Sequence, residues 1–164
     1  MPSDSRPHPG AALLRDAGAD DAGPLTRLFL ASRAAAMPYL ARVHSDEATL
    51  AWMTHVVLPG TDVWVAELGR EDGGTEIAGF LSLDGEELEH LYLDPEVRRR
   101  GIGTLLLAKA KERSPDGLAL YAFQRNTGAR AFYERHGFTA VEFSDGSRNE
   151  EKEPDVRYRW TASG

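Results

Sequence analysis

The segment that most constrains the fold joins an apolar strand to a helix through a basic turn that contains two glycines. It reads Leu-Glu-His-Leu-Tyr-Leu-Asp-Pro from Leu88, then Glu-Val-Arg-Arg-Arg-Gly-Ile-Gly up to Gly103. Pro95 cannot donate a strand hydrogen bond and is predicted to end the strand. The first amides of the following helix have no intrahelical acceptor, and the helix dipole adds positive potential there. The segment therefore predicts a site for an anion such as a phosphate.

Composition excludes several other classes of protein. The chain has 164 residues, 41% of them apolar, a net charge of −7 and no cysteine. A strongly acidic domain does not suit nucleic acid, and the lack of cysteine excludes disulfides, thiolate metal sites and a cysteine nucleophile. No apolar run approaches the length of a membrane span. We therefore expect one cytoplasmic domain over residues 11–164 after a flexible tail at residues 1–10, without a metal, nucleic-acid or membrane partner.

Apolar periodicity and turn residues predict elements in the order β-α-α-β-β-β-α-β-α-β-β. The expected strands are Leu13–Arg15, Val63–Leu68, Ile77–Leu83, Leu88–Leu93, Leu118–Phe123, Thr139–Phe143 and Val156–Trp160. Helices are expected to begin near Asp20 or Asp21, and near Ser45, Gly101 and Gly128. The strand–helix–strand unit over residues 88–123 should join parallel strands with a right-handed crossover. The predicted class is mixed α/β (α+β), with a mostly antiparallel sheet of about seven strands and four helices.

The basic turn supplies the first candidate binding residues. Its two glycines let a ligand approach the backbone closely, its amides are candidate hydrogen-bond donors, and its three arginines add positive charge. The candidates are Arg98, Arg99, Arg100, Gly101, Ile102, Gly103 and Thr104. These residues alone leave open whether the turn holds an anion or is only a glycine-rich helix start beside a solvated basic patch.

This turn and the region after it resemble the GNAT superfamily of acyl-CoA-dependent N-acetyltransferases. The family signature Arg/Gln-x-x-Gly-x-Gly/Ala is matched by Arg98, Gly101 and Gly103. Further matching residues are Leu91-Tyr92-Leu93-Asp94-Pro95, Asn126, Ala129, Phe132-Tyr133-Glu134 and Gly137-Phe138. The resemblance covers roughly residues 77 to 143 and is weak in the N-terminal helices, where family members vary with their substrates.

The resemblance implies a GNAT fold and acetyl-CoA as the acyl donor. In that fold the strand ending at Leu93 splays from the parallel strand Leu118–Phe123, and the pantetheine arm enters the gap. The arm would pair with the edge of the first strand, as an added strand does. Residues implied to bind it outside the basic turn are Leu91, Tyr92, Leu93, Asn126, Phe132 and Tyr133. Asn126 is also a suitable helix N-cap, and the two roles can coexist.

Three residues are candidate catalytic groups. Tyr133 matches the family tyrosine that donates a proton or a hydrogen bond to the leaving thiolate, although periodicity alone favours a core aromatic. Glu87 and Glu89 match positions where many members carry the base that deprotonates the acceptor, although either could be a solvated edge carboxylate. Strand alternation puts both carboxylates on one face and His90, taken as structural, on the other. A β-bulge would change which glutamate faces the thioester.

The implied reaction is transfer of the acetyl group to a primary amine by direct attack in a ternary complex. A backbone N–H near Leu91 would meet the carbonyl oxygen. The amine could belong to a small molecule, a protein N-terminus or a lysine, and the sequence leaves monomer and homodimer open. The alternative function is a non-catalytic acyl-CoA-binding protein or sensor on the same fold.

The residues that would surround the acceptor are the least defined. Loop 144–155 is rich in Asp and Glu, and it either borders the acceptor site and attracts a cationic amine or is only a charged surface loop. Candidate pocket walls, each of which could instead belong to the core, are Tyr39, His44, Trp52 and Trp64.

Overall fold

Seven strands form one mixed sheet. They are β1 Ala12–Asp16, β2 Asp62–Gly69, β3 Thr75–Asp84, β4 Glu87–Leu93, β5 Gly117–Phe123, β6 Thr139–Ser144 and β7 Asp155–Thr161. Their order across the sheet is β1-β2-β3-β4-β5-β7-β6, and every neighbouring pair is antiparallel except β4 and β5.

The computed structural model describes residues 12–97 and 101–162, so the predicted tail and Arg98–Arg100 lie outside the described residues. The predicted mixed α/β class and strand order along the chain are confirmed.

Four helices within the described residues cover the sheet. They are α1 Ala22–Ala36, α2 Asp46–Trp52, α3 Ile102–Arg113 and α4 Thr127–Arg135. The second continues without a break through a π-helical segment, Met53–Val57, and a last turn, Leu58–Gly60. As predicted, Ser45 caps α2, because its hydroxyl accepts a hydrogen bond of 3.1 Å from the amide of Ala48.

Two apolar cores, one on each face of the sheet, hold these layers together. Helices α3 and α4 bury Ile102, Leu106 and Tyr133 against Leu118, Leu120 and Tyr158 of the sheet. Helix α1 and the π-helical segment bury Leu25, Phe29 and Met53 against Val65 and Phe80 on the opposite face. Alternation along the strands explains this division, because successive side chains of a strand point to opposite faces. Each layer is thus fixed on the sheet independently.

The parallel strands β4 and β5 pair at one end only. Their register consists of a single pair, Glu87 with Ala119, and the amide of Ala119 donates to the carbonyl of Glu86 at 2.9 Å. Beyond Glu87 the two strands separate, although β4 stays paired with β3 as far as Leu93. The predicted splayed central pair is therefore present, and it leaves one edge of β4 facing a gap in the sheet.

A β-bulge interrupts the alternation of β4. Leu88 pairs with Leu83 and His90 with Ser82, so Glu89 is the extra residue on the bulged strand. The prediction that Glu87 and Glu89 share a face rested on unbroken alternation, and this bulge corrects it. It also places His90 beside Trp52 on the α1 face of the sheet.

Candidate active site

The gap between β4 and β5 is a cavity of about 410 Å³. Residues of both strands and of α4 line it, and the loop before β7 closes one side. The lining residues used below are Glu89, His90, Leu91, Tyr92, Asn126 and Tyr133. Four of the residues predicted to bind the pantetheine arm, Leu91, Tyr92, Asn126 and Tyr133, therefore meet in one space. An extended chain could enter there and pair with the free edge of β4.

Tyr133 is buried, with 7% of its surface exposed, and its ring packs against Phe132 and Phe138 at centroid distances of 5.3 and 5.4 Å. Burial raises the pKa of its hydroxyl, so the group stays protonated across the physiological range. Tyr158, packed nearby, uses its hydroxyl fully: it donates to Glu134 at 2.6 Å and accepts from Arg130 at 3.0 Å. Tyr133 is thus both the core aromatic that periodicity favoured and a residue of the cavity wall.

Glu87 is held in an ion pair. Arg157 of β7 donates to its two carboxylate oxygens at 2.5 and 2.8 Å, and the guanidinium lies 4.5 Å from the ring centre of Tyr121. Such a two-pronged contact fixes both groups and occupies the lone pairs that face the arginine. Glu87 does not line the gap, so its carboxylate serves mainly to fasten β4 to β7 across β5.

Glu89 is the freer of the two carboxylates. Its side chain lines the gap, while the bulge turns it away from the regular ladder. Partial burial raises the pKa of Glu89, and the negative charges of Glu87 and Asp84 add to this effect. A carboxylate with a raised pKa is a stronger base than an ordinary one and suits proton abstraction.

His90 packs edge-on against Trp52, with ring centres 5.1 Å apart, and lies 6.1 Å from the ring of Tyr92. Burial, together with the charge of Arg33, lowers the pKa of His90 to about 4. The ring is therefore neutral near pH 7 and a weak base. Its packing agrees with the structural role expected from the sequence, although it also lines the gap.

Asn126 both caps a helix and lines the gap, so the two roles considered for it can coexist. Its side-chain oxygen accepts a hydrogen bond of 3.2 Å from the amide of Ala129 and so caps α4. The same residue lines the gap between β4 and β5. The side chains of Leu93 and Phe132, also predicted to contact the arm, pack instead around Gly103, where a Cβ atom would lie 3.2 Å from the ring of Phe132.

The glycine turn before α3 has the backbone shape that its sequence requires. Gly101 is the N-cap residue with φ of 74°, a left-handed conformation that other residues adopt at a cost, and nothing lies within 4 Å of where its Cβ would be. Gly103 is buried and allows α3 to pack closely on Phe132. Only Gly101 therefore provides the open approach that the sequence suggested for both glycines. Arg98, Arg99 and Arg100 lie outside the described residues.

Two further turn residues were candidates through their backbone amides. Ile102 and Thr104 lie in the first turn of α3, where amides lack intrahelical acceptors. The Ile102 side chain is 1% exposed and belongs to the core. The Thr104 hydroxyl lies 3.2 Å from Nε2 of His136, whose Nδ1 donates to the carbonyl of Phe132 at 2.8 Å. These contacts fix the start of α3 against the end of α4.

A second cavity, of about 870 Å³, adjoins the first on the α1 face. Met37, His90 and Tyr92 line both cavities. Its other walls include Phe29, Leu30, Arg33, Leu40, His44, Trp52, Glu150 and Glu151. Of the predicted acceptor walls, His44 and Trp52 therefore line this cavity, whereas Trp64 is buried in the core under α3 and Tyr39 does not line it.

The acidic loop between β6 and β7 contacts the α1–α2 region through polar side chains. Glu150 meets His44 at 2.8 Å, and Glu151 meets Arg33 at 3.4 Å. Arg125 forms hydrogen bonds of 2.7 and 2.8 Å to the buried carboxylate of Glu153 and stacks 3.7 Å from the ring centre of Tyr39. The loop therefore borders the second cavity and is more than a solvated surface segment.

Sequence reasoning missed two arginines at this site. Arg33 lines the second cavity and Arg157 holds Glu87, yet their partners lie 118 and 70 positions away along the chain. The only available signal was position: Arg33 follows the apolar face of α1, and Arg157 alternates with the buried Val156 and Tyr158. Neither pattern identifies a partner.

Comparison with known proteins agrees with this geometry. The sequence model of the acetyltransferase (GNAT) domain matches residues 59–140, half of the chain. The fold resembles the solution structure of apo-form YjaB from Escherichia coli, with a TM-score of 0.73 and 23% identity over 92% of this chain and 97% of that one. The chain belongs to the GNAT acetyltransferase family.

Two further comparisons concern a curated relative and a second solved structure. The peptidyl-lysine N-acetyltransferase YjaB of Salmonella typhimurium is 38% identical over 81 residues, which are 49% of this chain and 52% of the relative. The match thus spans about half the length of this relative. A PaiA N-acetyltransferase from Thermoplasma acidophilum, solved in complex with coenzyme A, has a TM-score of 0.66 and 21% identity over 92% of this chain and 99% of that one.

In residues 12–97 and 101–162, no helix combines the length and apolar character needed to cross a membrane. Over the same ranges, no cluster of three or more His, Asp or Glu side chains could hold a metal ion.

Proposed function

We propose that this protein is an N-acetyltransferase that moves the acetyl group of acetyl-CoA to a primary amine by direct attack in a ternary complex. The observation that carries the proposal is the gap between β4 and β5, which is lined by Tyr133 and Glu89 and adjoins a second cavity. A family relative named as a peptidyl-lysine N-acetyltransferase supports an amine as the acceptor. Acetyl-CoA supplies the activated acyl group.

The donor half of the reaction needs an anion site and a channel. The left-handed Gly101 and the first amides of α3 would bind the pyrophosphate, as helix N-termini commonly do. The predicted arginines 98–100 would add charge. The pantetheine arm would then follow the free edge of β4 beside Leu91, with Asn126 as a polar contact from the opposite wall.

Glu89 is the proposed base. Near neutral pH most of an aliphatic amine is protonated, so attack on the thioester requires removal of a proton. Glu89 lines the gap with a raised pKa, whereas Glu87 is bound by Arg157 and His90 has a lowered pKa. Of the two glutamates left open by the sequence, Glu89 is therefore the better supported.

Tyr133 is the proposed donor to the leaving thiolate. Its raised pKa keeps it protonated, and a neutral phenol can donate a hydrogen bond to a sulfur that becomes negatively charged. A backbone N–H of β4 near Leu91 would stabilise the negative charge that develops on the carbonyl oxygen. That strand has a free edge beyond Glu87, so a backbone donor is available on the gap side.

An acceptor screen tests this function. The protein is mixed with acetyl-CoA and a panel of small amines, peptides with free N-termini and lysine peptides, and released thiol is followed. Calorimetry measures acetyl-CoA binding separately. We expect binding and at least one amine that raises thiol release above the protein-free rate. Binding without any amine-dependent release would instead favour the acyl-CoA sensor.

A further inference from the structure

We propose that the second cavity binds a free α-amino acid with a large apolar or aromatic side chain, whose carboxylate is held by Arg33. This inference rests on the proposed acetyltransferase function and names the class of acceptor. Four features support it: the size of the cavity, the unused hydrogen-bonding capacity of Arg33, the position of Arg33 near both cavities, and the aromatic wall.

The size of the cavity fits a whole small molecule. At about 870 Å³ it lies within the range of roughly 300–1,000 Å³ that is usual for small-ligand sites. A protein lysine would need only a narrow channel for its unbranched side chain. Contacts of Glu150 with His44 and of Glu151 with Arg33 also place the acidic loop along one border of the cavity. Both features favour an enclosed ligand over a protein chain.

Arg33 has hydrogen-bonding capacity to spare. Its Nε is buried and has no hydrogen-bond partner among the described residues. Both contacts of its terminal nitrogens with Glu151 measure 3.4 Å, longer than the roughly 2.7–2.9 Å of a good charge-assisted hydrogen bond. A buried guanidinium N–H without an acceptor is costly. A ligand carboxylate would satisfy Nε and one terminal nitrogen together, in the two-pronged geometry that arginine favours.

Arg33 lines the second cavity on the side that is near the first. Its guanidinium carbon lies 5.1 Å from the ring centre of Phe29, in the second cavity, and 5.8 Å from that of Phe123, in the first. In an α-amino acid a single carbon separates the amine from the carboxylate. A carboxylate bound to Arg33 would therefore hold the amine at the junction, beside Tyr92.

The remaining walls suit an apolar or aromatic side chain. Phe29, Trp52, His90 and Tyr92 form a connected aromatic group, with ring centres between 4.9 and 6.3 Å apart in the contacting pairs. Aromatic rings prefer such edge-on and offset neighbours. His90 belongs to this wall as a neutral ring because its pKa is lowered to about 4.

The test compares two amines that differ only in the carboxylate. With saturating acetyl-CoA, kcat/KM is measured for phenylalanine, for phenethylamine and for an Nα-acetylated lysine amide that represents a protein lysine. We expect phenylalanine to be preferred at least tenfold over each of the others. In Arg33→Gln, kcat/KM for phenylalanine should fall about 30-fold or more, as when one partner of a buried charge pair is lost. Phenethylamine should change by less than about threefold, because it lacks the carboxylate.

The control is Arg27→Gln, an exposed arginine on the same helix, which should leave both values unchanged. Acetyl-CoA affinity by calorimetry verifies that Arg33→Gln is folded; if that variant does not fold, the wild-type preference alone decides. A preference for phenethylamine or the lysine amide, or an equal loss for both amines in Arg33→Gln, would overturn the amino-acid inference and leave the acetyltransferase proposal standing. Failure of every amine, with acetyl-CoA bound, would overturn both.

Discussion

Arg157 on β7 donates hydrogen bonds of 2.5 and 2.8 Å to the two carboxylate oxygens of Glu87 on β4, across the intervening strand β5. This contact spans the one point where β4 and β5 are still paired, and beyond it the strands part to form the gap. The ion pair thus fastens the closed end of the splayed pair. Glu89, which the bulge leaves without a partner on β3, is then the carboxylate that lines the gap.

The first prediction assigns the base. Glu89→Gln should lower kcat by about 100-fold, the lower range for loss of a general base. The wild-type rate should fall as the pH drops through the pKa of Glu89, which burial raises above its ordinary 4.5, because the protonated carboxyl cannot accept a proton. Glu87→Gln, the matched control, should keep this acid limb. The assignment is wrong if Glu89→Gln retains the limb and Glu87→Gln loses it.

The second prediction concerns the glycine turn. In Gly101→Ala the left-handed φ of 74° costs about 1–2 kcal/mol, so the turn relaxes and its amides move. Acetyl-CoA affinity measured by calorimetry should fall about tenfold. Gly128→Ala, in the first turn of α4 with open space around its Cα, should bind normally. Normal affinity in Gly101→Ala would show that the pyrophosphate binds elsewhere.

The third prediction follows from the neutral state of His90. Its pKa is about 4 in the folded protein against 6.5 ordinarily, so the unfolded chain binds the proton more readily. Stability should be complete above pH 6.5 and fall as the pH decreases toward 4, by about 3 kcal/mol for this group. Urea unfolding across this range measures the loss. The variant His90→Gln should show a shallower decline, and an identical decline in both proteins would contradict the burial of a neutral ring.

Local sequence patterns predicted most of the fold. Alternating apolar residues and the turn glycines located the strands, because the alternation of buried and exposed side chains is visible within the sequence of each strand. The bulge at Glu89 was suggested only by the family resemblance, since it depends on how β4 meets β3 rather than on the alternation within either strand. The partners of Arg33 and Arg157 were equally inaccessible, because long-range contacts leave no local periodicity.

More of the residues predicted for the donor side than for the acceptor side lie together in the structure, for a related reason. Gly101, Asn126 and Tyr133 come from one continuous region whose spacing is set by short connections. The second cavity is assembled from α1, α2 and the loop before β7, and its shape appears only when these distant segments pack. Trp64 illustrates the difficulty: it is as aromatic as Trp52, yet it belongs to the core.

The fourth prediction isolates the thiolate donor. Tyr133→Phe should lower kcat by about 100-fold and leave acetyl-CoA affinity nearly unchanged, because only the hydroxyl is removed. Tyr158→Phe is the matched control: it loses hydrogen bonds with Glu134 and Arg130, which should reduce the free energy of unfolding by about 1 kcal/mol without lowering kcat. An unchanged kcat in Tyr133→Phe would remove this residue from the reaction.

The most direct test of the account uses acetyl-CoA with an isotopically labelled acetyl group. The protein is incubated with it, first alone and then with an acceptor amine, and mass spectrometry follows the label. Direct attack predicts no labelled side chain that passes its acetyl group on to the amine, and faster labelling of the nitrogen of the amine when the protein is present. A labelled protein that loses its label to the amine, or acetyl-CoA that binds and is never used, would contradict the proposed reaction.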